Sequence, residues 1–95
     1  MADLARLTVD DFAALVGDRF TLADGGAYEL TQARAGTAAP GAPRPPFTLL
    51  FAGPPEPVRP QGIQALTHPD LGTLELFLVP VGRDAAAVRY EAVFG

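Results

Sequence analysis

The stretch LELFLVPV, residues Leu74–Val81, decides the fold of this chain and is bounded by Gly72 and Gly82. Successive side chains of a strand point to opposite faces, so its leucines, all at even positions, form one continuous apolar face. The odd-numbered face begins polar and ends with three apolar residues, Phe77, Val79 and Val81. The pattern predicts a central strand over 74–81, with one face buried and the other covered over half its length.

A short helix over 8–17 is predicted ahead of the strands. Thr8 is a suitable N-cap, and Asp11 follows it at the spacing of a capping box. Gly17 is placed to end the helix in a left-handed conformation. The residues at helical spacing predict a buried face made of Val9, Phe12, Ala13 and Val16.

Alternating apolar residues predict further strands on both sides of 74–81. A hairpin turning at 24–26 has a second strand that fades after Gln32, and strands follow at 47–52, 62–68 and 88–94. The inward face of 62–68 stays ambiguous. The connections are short, which favours antiparallel pairing. The predicted fold is mainly β, or α+β by content: an antiparallel five- or six-stranded sheet curled into a roll or partly open barrel, with one short N-terminal helix on it or across its end.

The 95 residues are enough for one core, so 1–95 is interpreted as a single domain. Residues 36–46 are almost entirely Ala, Gly and Pro and predict a flexible surface loop. Residues 54–60 predict an extended Pro-rich connection.

Face parity also predicts how the central and last strands pair. Residues opposite each other in an antiparallel pair share a face, so paired numbers must sum to an even value. The favoured register keeps Glu75 away from Glu91 and places Pro80 at the strand end. Its pairs are Leu74 with Phe94, Leu76 with Ala92, and Leu78 with Tyr90, with 81–87 as the connection.

Composition excludes several classes of function. The net charge is -4, and the seven Arg residues form no stripe, so nucleic acid is not expected as a partner. No window approaches the roughly 20 apolar residues of a membrane span, and no signal peptide is recognisable. We therefore expect a cytoplasmic protein without membrane contact, with release as part of a larger assembly as the alternative. The chain contains no Ser, Cys or Lys, which removes the usual nucleophiles. We expect no cofactor and no metal site, because one His is far below the usual ligand count.

His68 is the one residue with a natural proton-transfer pKa, and Asp70 and Glu75 lie near it in the sequence. An acid–base pair is conceivable, but a His before Pro at a strand end is more often structural. Asp10 and Asp11 fall in the first turn of the helix, where carboxylates complement its dipole. We therefore expect no catalytic residue.

Two groups of apolar residues form the candidate partner surface. Our favoured explanation of the apolar odd-numbered face is that the helix packs on it, and the alternative is a docking surface. The second group lies in the Pro-rich connection, whose extended shape suits docking against another chain. The candidate residues are Phe77, Val79, Val81, Pro54, Pro55 and Pro57.

Several motifs together resemble a family of small bacterial proteins known as a domain of unknown function. They are PFTLLF (46–51), PQG (60–62), HPDLG (68–72), LELFLVPVG (74–82) and YEAVF (90–94). The resemblance carries no catalytic residues, and it implies a role beside tail-collar-type fibre proteins, in assembling a phage-tail-like or surface fibre structure. Gln64 stands where relatives tend to carry an aromatic residue.

The function expected from these observations is a non-enzymatic protein-interaction or assembly domain. Its partner is another protein, such as a fibre or tail-like component, or a second copy of the chain in a homo-oligomer. The alternative is a small β-barrel that binds an apolar ligand, which requires a cavity between Tyr28, Phe47, Leu76 and Tyr90. An enzyme is the third choice.

Overall fold

The computed structural model describes residues 7–36, 40–41 and 46–94, and these form one helix and six strands. The helix is preceded by Thr8, and the strands follow one another through short turns and two longer connections, 36–46 and 54–61. The elements are α1 (Val9–Ala13), β1 (Arg19–Leu22), β2 (Ala27–Ala35), β3 (Phe47–Gly53), β4 (Gly62–His68), β5 (Gly72–Arg83) and β6 (Val88–Phe94).

The six strands form a closed barrel in the order β1-β2-β3-β6-β5-β4, and every neighbouring pair is antiparallel. The prediction of a mainly β, antiparallel sheet curled on itself is confirmed, with six strands and full closure. The pairing of β1 with β4 closes the ring, and the long β5 pairs with β4 along its first part and with β6 along its last. None of the described helical segments is long and apolar enough to cross a membrane.

The core is the barrel interior, and it is filled by every second residue of each strand. Leu74, Leu76 and Leu78 are buried as predicted, as are the even-numbered residues of β6. In β4 the even face points inward, so Gln64, Leu66 and His68 face the interior. That resolves the ambiguity left by the sequence.

Helix α1 is shorter than predicted, with only five residues. The chain then continues in turns whose N–H groups bond three residues back, such as Leu15 N to the Phe12 carbonyl at 2.9 Å. Such tight turns advance about 120° per residue, which brings Leu15 against the core and leaves Val16 47% exposed. The prediction that Ala13 and Val16 lie on the buried face is therefore wrong. Gly17 does adopt the predicted positive φ, at 98°.

The side chain of Phe12 closes one end of the barrel. Its ring centroid lies 5.8 Å from that of Phe47 and 5.6 Å from that of Phe94, and the side chain is fully buried. The Asp11 carboxylate accepts hydrogen bonds from the Thr8 N–H at 2.8 Å and from the Thr8 hydroxyl at 3.2 Å. The sequence thus places the start of the helix correctly, and the helix lies across the barrel end.

The predicted register of β5 and β6 is wrong by two residues. Val79 pairs with Glu91 and Pro80 with Tyr90, while Leu74, Leu76 and Leu78 oppose residues of β4. The error arises because β5 continues past Pro80 through a bulge at Val81 to Arg83. Both strands keep the predicted inward faces.

A tight turn makes this longer ladder possible. The Asp84 carboxylate accepts hydrogen bonds from the N–H groups of Ala86 at 2.8 Å and Ala87 at 3.0 Å. The connection is therefore 84–87, instead of the predicted 81–87.

Strand β2 also continues further than predicted, to Ala35 instead of fading after Gln32. Of the predicted loop 36–46, residues 37–39 and 42–45 lie outside the described residues. The ends of the loop meet, since the Gly36 N–H donates to the Pro46 carbonyl at 2.7 Å.

Candidate functional site

Three large apolar side chains are exposed on the outside of the barrel. Ile63 and Phe77 are direct partners in the β4–β5 ladder. Val79 and Glu91 are partners in the β5–β6 ladder. Phe77 and Val93 each lie two residues from one of these partners, so their side chains point to the same outer face of the sheet. Ile63 is 71% exposed, Phe77 53% and Val93 68%. We call these three residues the outer apolar row.

Helix α1 does not cover the outer apolar row. It packs against β2 and β3 and across the barrel end, which leaves the outside of β5 open to solvent. The explanation favoured from the sequence, that the helix packs on Phe77, is therefore wrong. The helix has five residues, and its one buried side chain, Phe12, points into the barrel. It therefore has no second apolar face that could pack on the outside of the sheet.

The remaining predicted residues of β5 flank this row. Val79 is half-buried opposite Glu91, and Val81 is exposed in the bulge. Along β5 and β6 the charged residues nearest to the row are both acidic, Glu75 and Glu91. The surface around Phe77 is thus apolar with an acidic border.

The prolines of the predicted partner surface lie elsewhere. Pro54 and Pro57 are exposed and Pro55 is half-buried, in the connection between β3 and β4. This connection crosses the barrel end opposite Phe12, because its Arg59 N–H donates to the hydroxyl of Tyr90 at 3.0 Å. The structure does not bring the prolines together with Phe77.

Two stacked tyrosines fill that second end, which we call the tyrosine end. The ring centroids of Tyr28 and Tyr90 are 4.8 Å apart and the ring planes differ by 15°. They occupy the space beside Gly53, where an added Cβ would lie 2.6 Å from Tyr28 Cε1. Burial, followed by the hydrogen bond to Tyr90, raises the pKa of Tyr28 to about 12.

Polar groups gather at the rim of the tyrosine end. The Tyr28 hydroxyl donates to Gln64 Oε1 at 3.1 Å, whereas Gln64 Nε2 is buried and has no hydrogen-bond partner among the described residues. The Arg59 guanidinium forms an ion pair with the Asp24 carboxylate in the β1–β2 turn. The hydrogen bond from Arg59 holds the pKa of Asp24 below its usual value.

The four residues proposed to line an apolar cavity do not surround one common space. Tyr28 stacks directly on Tyr90 at the tyrosine end. Phe47 stacks on Phe94 at the opposite end, with 4.4 Å between ring centroids. Leu76 is buried between them on β5. None of these four residues lines the surface grooves found around the tyrosine end.

His68 is buried and has a carboxylate partner that the sequence did not indicate. Its Nε2 lies 2.9 Å from Asp18 Oδ2, and its Nδ1 accepts the Asp70 N–H at 3.0 Å. Because Nδ1 is an acceptor, the ring proton is on Nε2, which donates a hydrogen bond to the Asp18 carboxylate. Glu75 points outward on β5 and does not belong to this group. The arrangement ties the segment after α1 to the end of β4.

Other charged residues also have structural contacts. Asp11 caps the start of α1, as described above, and Arg89 Nη1 lies 3.0 Å from Asp84 Oδ2. Within residues 7–36, 40–41 and 46–94, no group of three or more His, Asp or Glu side chains is arranged to hold a metal ion.

A shallow groove of about 460 Å³ lies outside the tyrosine end. Its floor consists of small residues, among them Ala27, Ala52 and Gly53. Arg19 and Glu29, which are partners in the β1–β2 ladder, stand at its side. Because Arg19 and Glu29 oppose each other, the groove carries no excess of either charge.

A family model described as "Domain of unknown function (DUF6916)" matches residues 7–94. No curated protein and no solved structure is detectably similar to the chain.

Proposed function

This chain belongs to the DUF6916 family of domains of unknown function, and from its geometry we propose that it is a non-enzymatic protein-interaction domain. The surface that we assign to the interaction is the outer apolar row. The prolines of the β3–β4 connection are not included, because they lie at the tyrosine end.

The observation that supports this proposal is the exposure of Ile63 and Phe77 as direct partners on the outer sheet, with Val93 exposed on the outside of β6. Scattered exposed apolar residues are common, but a contiguous group with a polar border is typical of interaction surfaces. An aromatic residue flanked by β-branched ones also resembles the centre of a protein interface, where a few large side chains supply most of the binding energy.

The charges around the row define the partner. Glu75 and Glu91 border Phe77, and the whole chain carries a net charge of -4. Arg59 lines a groove with Ile63, but its charge is paired with that of Asp24. A second copy of the chain would bring like charges together, whereas a partner with basic residues around an apolar patch would be attracted. We therefore propose a different protein, of the class implied by the resemblance: a component of a fibre or phage-tail-like assembly.

The non-enzymatic part of the proposal rests on the missing nucleophiles and on the burial of His68 against Asp18. A general acid or base must reach its substrate. The His68 side chain does not, because it is buried and its ring packs against that of Phe20. The apolar-ligand alternative has less support, because Tyr28 and Tyr90 stack on each other without a gap for a ligand.

The test compares two tagged variants of the full chain, Phe77→Asp and Val58→Asp, in affinity capture from the host. Both positions are exposed, but Val58 lies in the β3–β4 connection and does not belong to the outer apolar row. We expect a partner that is recovered with the parent and with Val58→Asp, and at least tenfold less with Phe77→Asp. Equal recovery with all three proteins, or self-association through this face, would contradict the proposal.

A further inference from the structure

The barrel is weakly joined at one place, between β1 and β4. Only two residue pairs connect these strands, Thr21 with Thr67 and Leu22 with Leu66. Strand β4 pairs along its whole length with β5 on its other side. The first half of β4, Gly62–Ala65, therefore has no ladder partner on the β1 side within the described part of the chain.

The cause is the tight turn that follows β1. The chain leaves the sheet after Leu22, whose carbonyl accepts the Gly25 N–H at 3.0 Å, and Gly25 supplies the positive φ of 93° that the turn requires. Strand β1 thus ends opposite Leu66, and the four preceding residues of β4, Gly62–Ala65, have no partner in β1. The gap is bridged on its outside by the ion pair between Arg59 and Asp24.

Two grooves, of about 210 Å³ and 300 Å³, meet along this gap at Arg59 and Gln64. One runs from Leu22 and Asp24 to Ala65, and the other follows the chain into Gly62. Each is at or below the size of a pocket for a drug-like ligand. Four residues of an extended chain span about 13 Å, so the shape suits a peptide strand better than a compact molecule.

Unused donors line the gap. Gln64 Nε2 is buried without a partner, and leaving such a donor unpaired is unfavourable. The guanidinium of Arg59 has five N–H donors, and the bond to Asp24 uses Nη2. Both groups would be satisfied by oxygen acceptors brought in by a ligand, a backbone carbonyl at Gln64 and a carboxylate at Arg59.

We propose that the gap is a binding site for an extended peptide with an acidic side chain, which adds as a strand to the free edge of β4 at Gly62–Ala65. Backbone hydrogen bonds to the edge supply the part of the affinity that does not depend on the peptide sequence, as in other cases of strand addition. Gln64 and Arg59 select the position and the charge of the peptide. The site shares Ile63 with the outer apolar row. Its binding groups are the backbone edge of β4, Gln64 and Arg59, so the proposal does not depend on the row.

The experiment selects peptides from a phage-displayed random heptapeptide library on the purified full chain and measures the enriched sequence as a synthetic peptide. We expect an enriched sequence that contains Asp or Glu. Gln64→Leu and Arg59→Gln should each weaken its binding at least tenfold, with Gln32→Leu, at an exposed position of β2, as the matched control.

N-methylation of the peptide tests the backbone pairing without altering the protein. Methyl groups on one alternate set of peptide nitrogens should abolish binding, and those on the other set should not, because alternate N–H groups of a strand face opposite sides. The proposal is overturned if no sequence is enriched, if both methylated peptides bind like the parent, or if Gln64→Leu binds it equally well. The readout involves only purified protein and peptide, so its failure is distinct from a failure of the outer-row proposal.

Discussion

Gly53 is the position where a single methyl group tests the packing of the tyrosine end most sharply. In Gly53→Ala the new Cβ would lie 2.6 Å and 2.7 Å from two carbons of the Tyr28 ring and 3.1 Å from Tyr90 Cε2. Carbon atoms pack at about 3.5–4.0 Å, so the Tyr28 ring would have to retreat by about 1 Å.

The surroundings of Tyr28 oppose that retreat. Its ring is stacked on Tyr90, and its hydroxyl is bonded to Gln64. Tyr90 is in turn fixed by the N–H of Arg59. Overpacking of this kind costs about 1–3 kcal/mol, which for a domain of this size lowers Tm by roughly 4–20 °C.

Gly62→Ala is the matched control for Gly53→Ala. It makes the same change in a strand, but the added Cβ would meet no atom within 4 Å. Urea and thermal unfolding followed by circular dichroism should show Gly53→Ala destabilised and Gly62→Ala equal to the parent or slightly more stable. If the two variants unfolded alike, the close contact between the tyrosines and Gly53 would be refuted.

Three further perturbations test separate parts of the structure. Phe12→Ala should cost about 3–5 kcal/mol, because the ring closes one barrel end, whereas Val16→Ala should stay within about 0.5 kcal/mol in urea unfolding. The raised pKa of Tyr28 means that the unfolded chain loses this proton first above pH 10, so stability should fall between pH 10 and 12 by up to about 1.4 kcal/mol per pH unit. Tyr28→Phe should show a shallower decline, and equal slopes would refute the assignment. The N–H groups that cap Asp84 lower its pKa, so its contribution is present at neutral pH and lost as the pH falls below the usual Asp value. Asp84→Ala should therefore be less stable than the parent at pH 7 and closer to it at pH 3, and a constant difference would contradict this.

The sequence predicts the barrel well where the period-two pattern is strong. The faces of β5 and β6 are correct because each places an unbroken series of apolar residues inside. The intervening residues include Glu75 in β5, and Arg89 and Glu91 in β6. The same logic fails for β4, where Ile63 points to solvent and Gln64 points inward. Hydrophobicity alone would assign that half of the strand to the opposite face.

The register of β5 and several side-chain contacts could not be predicted, because they depend on residues that are distant in the sequence or on the geometry of the closed barrel. The bulge at Val81 adds one residue to β5 and shifts the register. Pro80 and Gly82, which flank it, are residues that often mark a bulge, but the predicted pairing ended before it. Asp18 meets His68 across 50 positions of the chain, through the closure of β1 on β4. The ion pair of Arg59 with Asp24 likewise joins an irregular connection to a turn. The apolar odd-numbered face of β5 can be read from the sequence, but the exposure of Phe77 depends on where the helix lies.

Site-specific photo-crosslinking in the host tests the central claim most directly. The variant Phe77→p-benzoylphenylalanine keeps an aromatic ring in the outer apolar row, and Val16→p-benzoylphenylalanine places the same group at a similarly exposed position beside α1. Our account predicts that the label at Phe77 joins the chain to one defined protein other than itself, that excess unlabelled parent abolishes the product, and that the label at Val16 does not form it. The same products from both positions, or none from Phe77, would contradict the assignment of this face as the interaction surface.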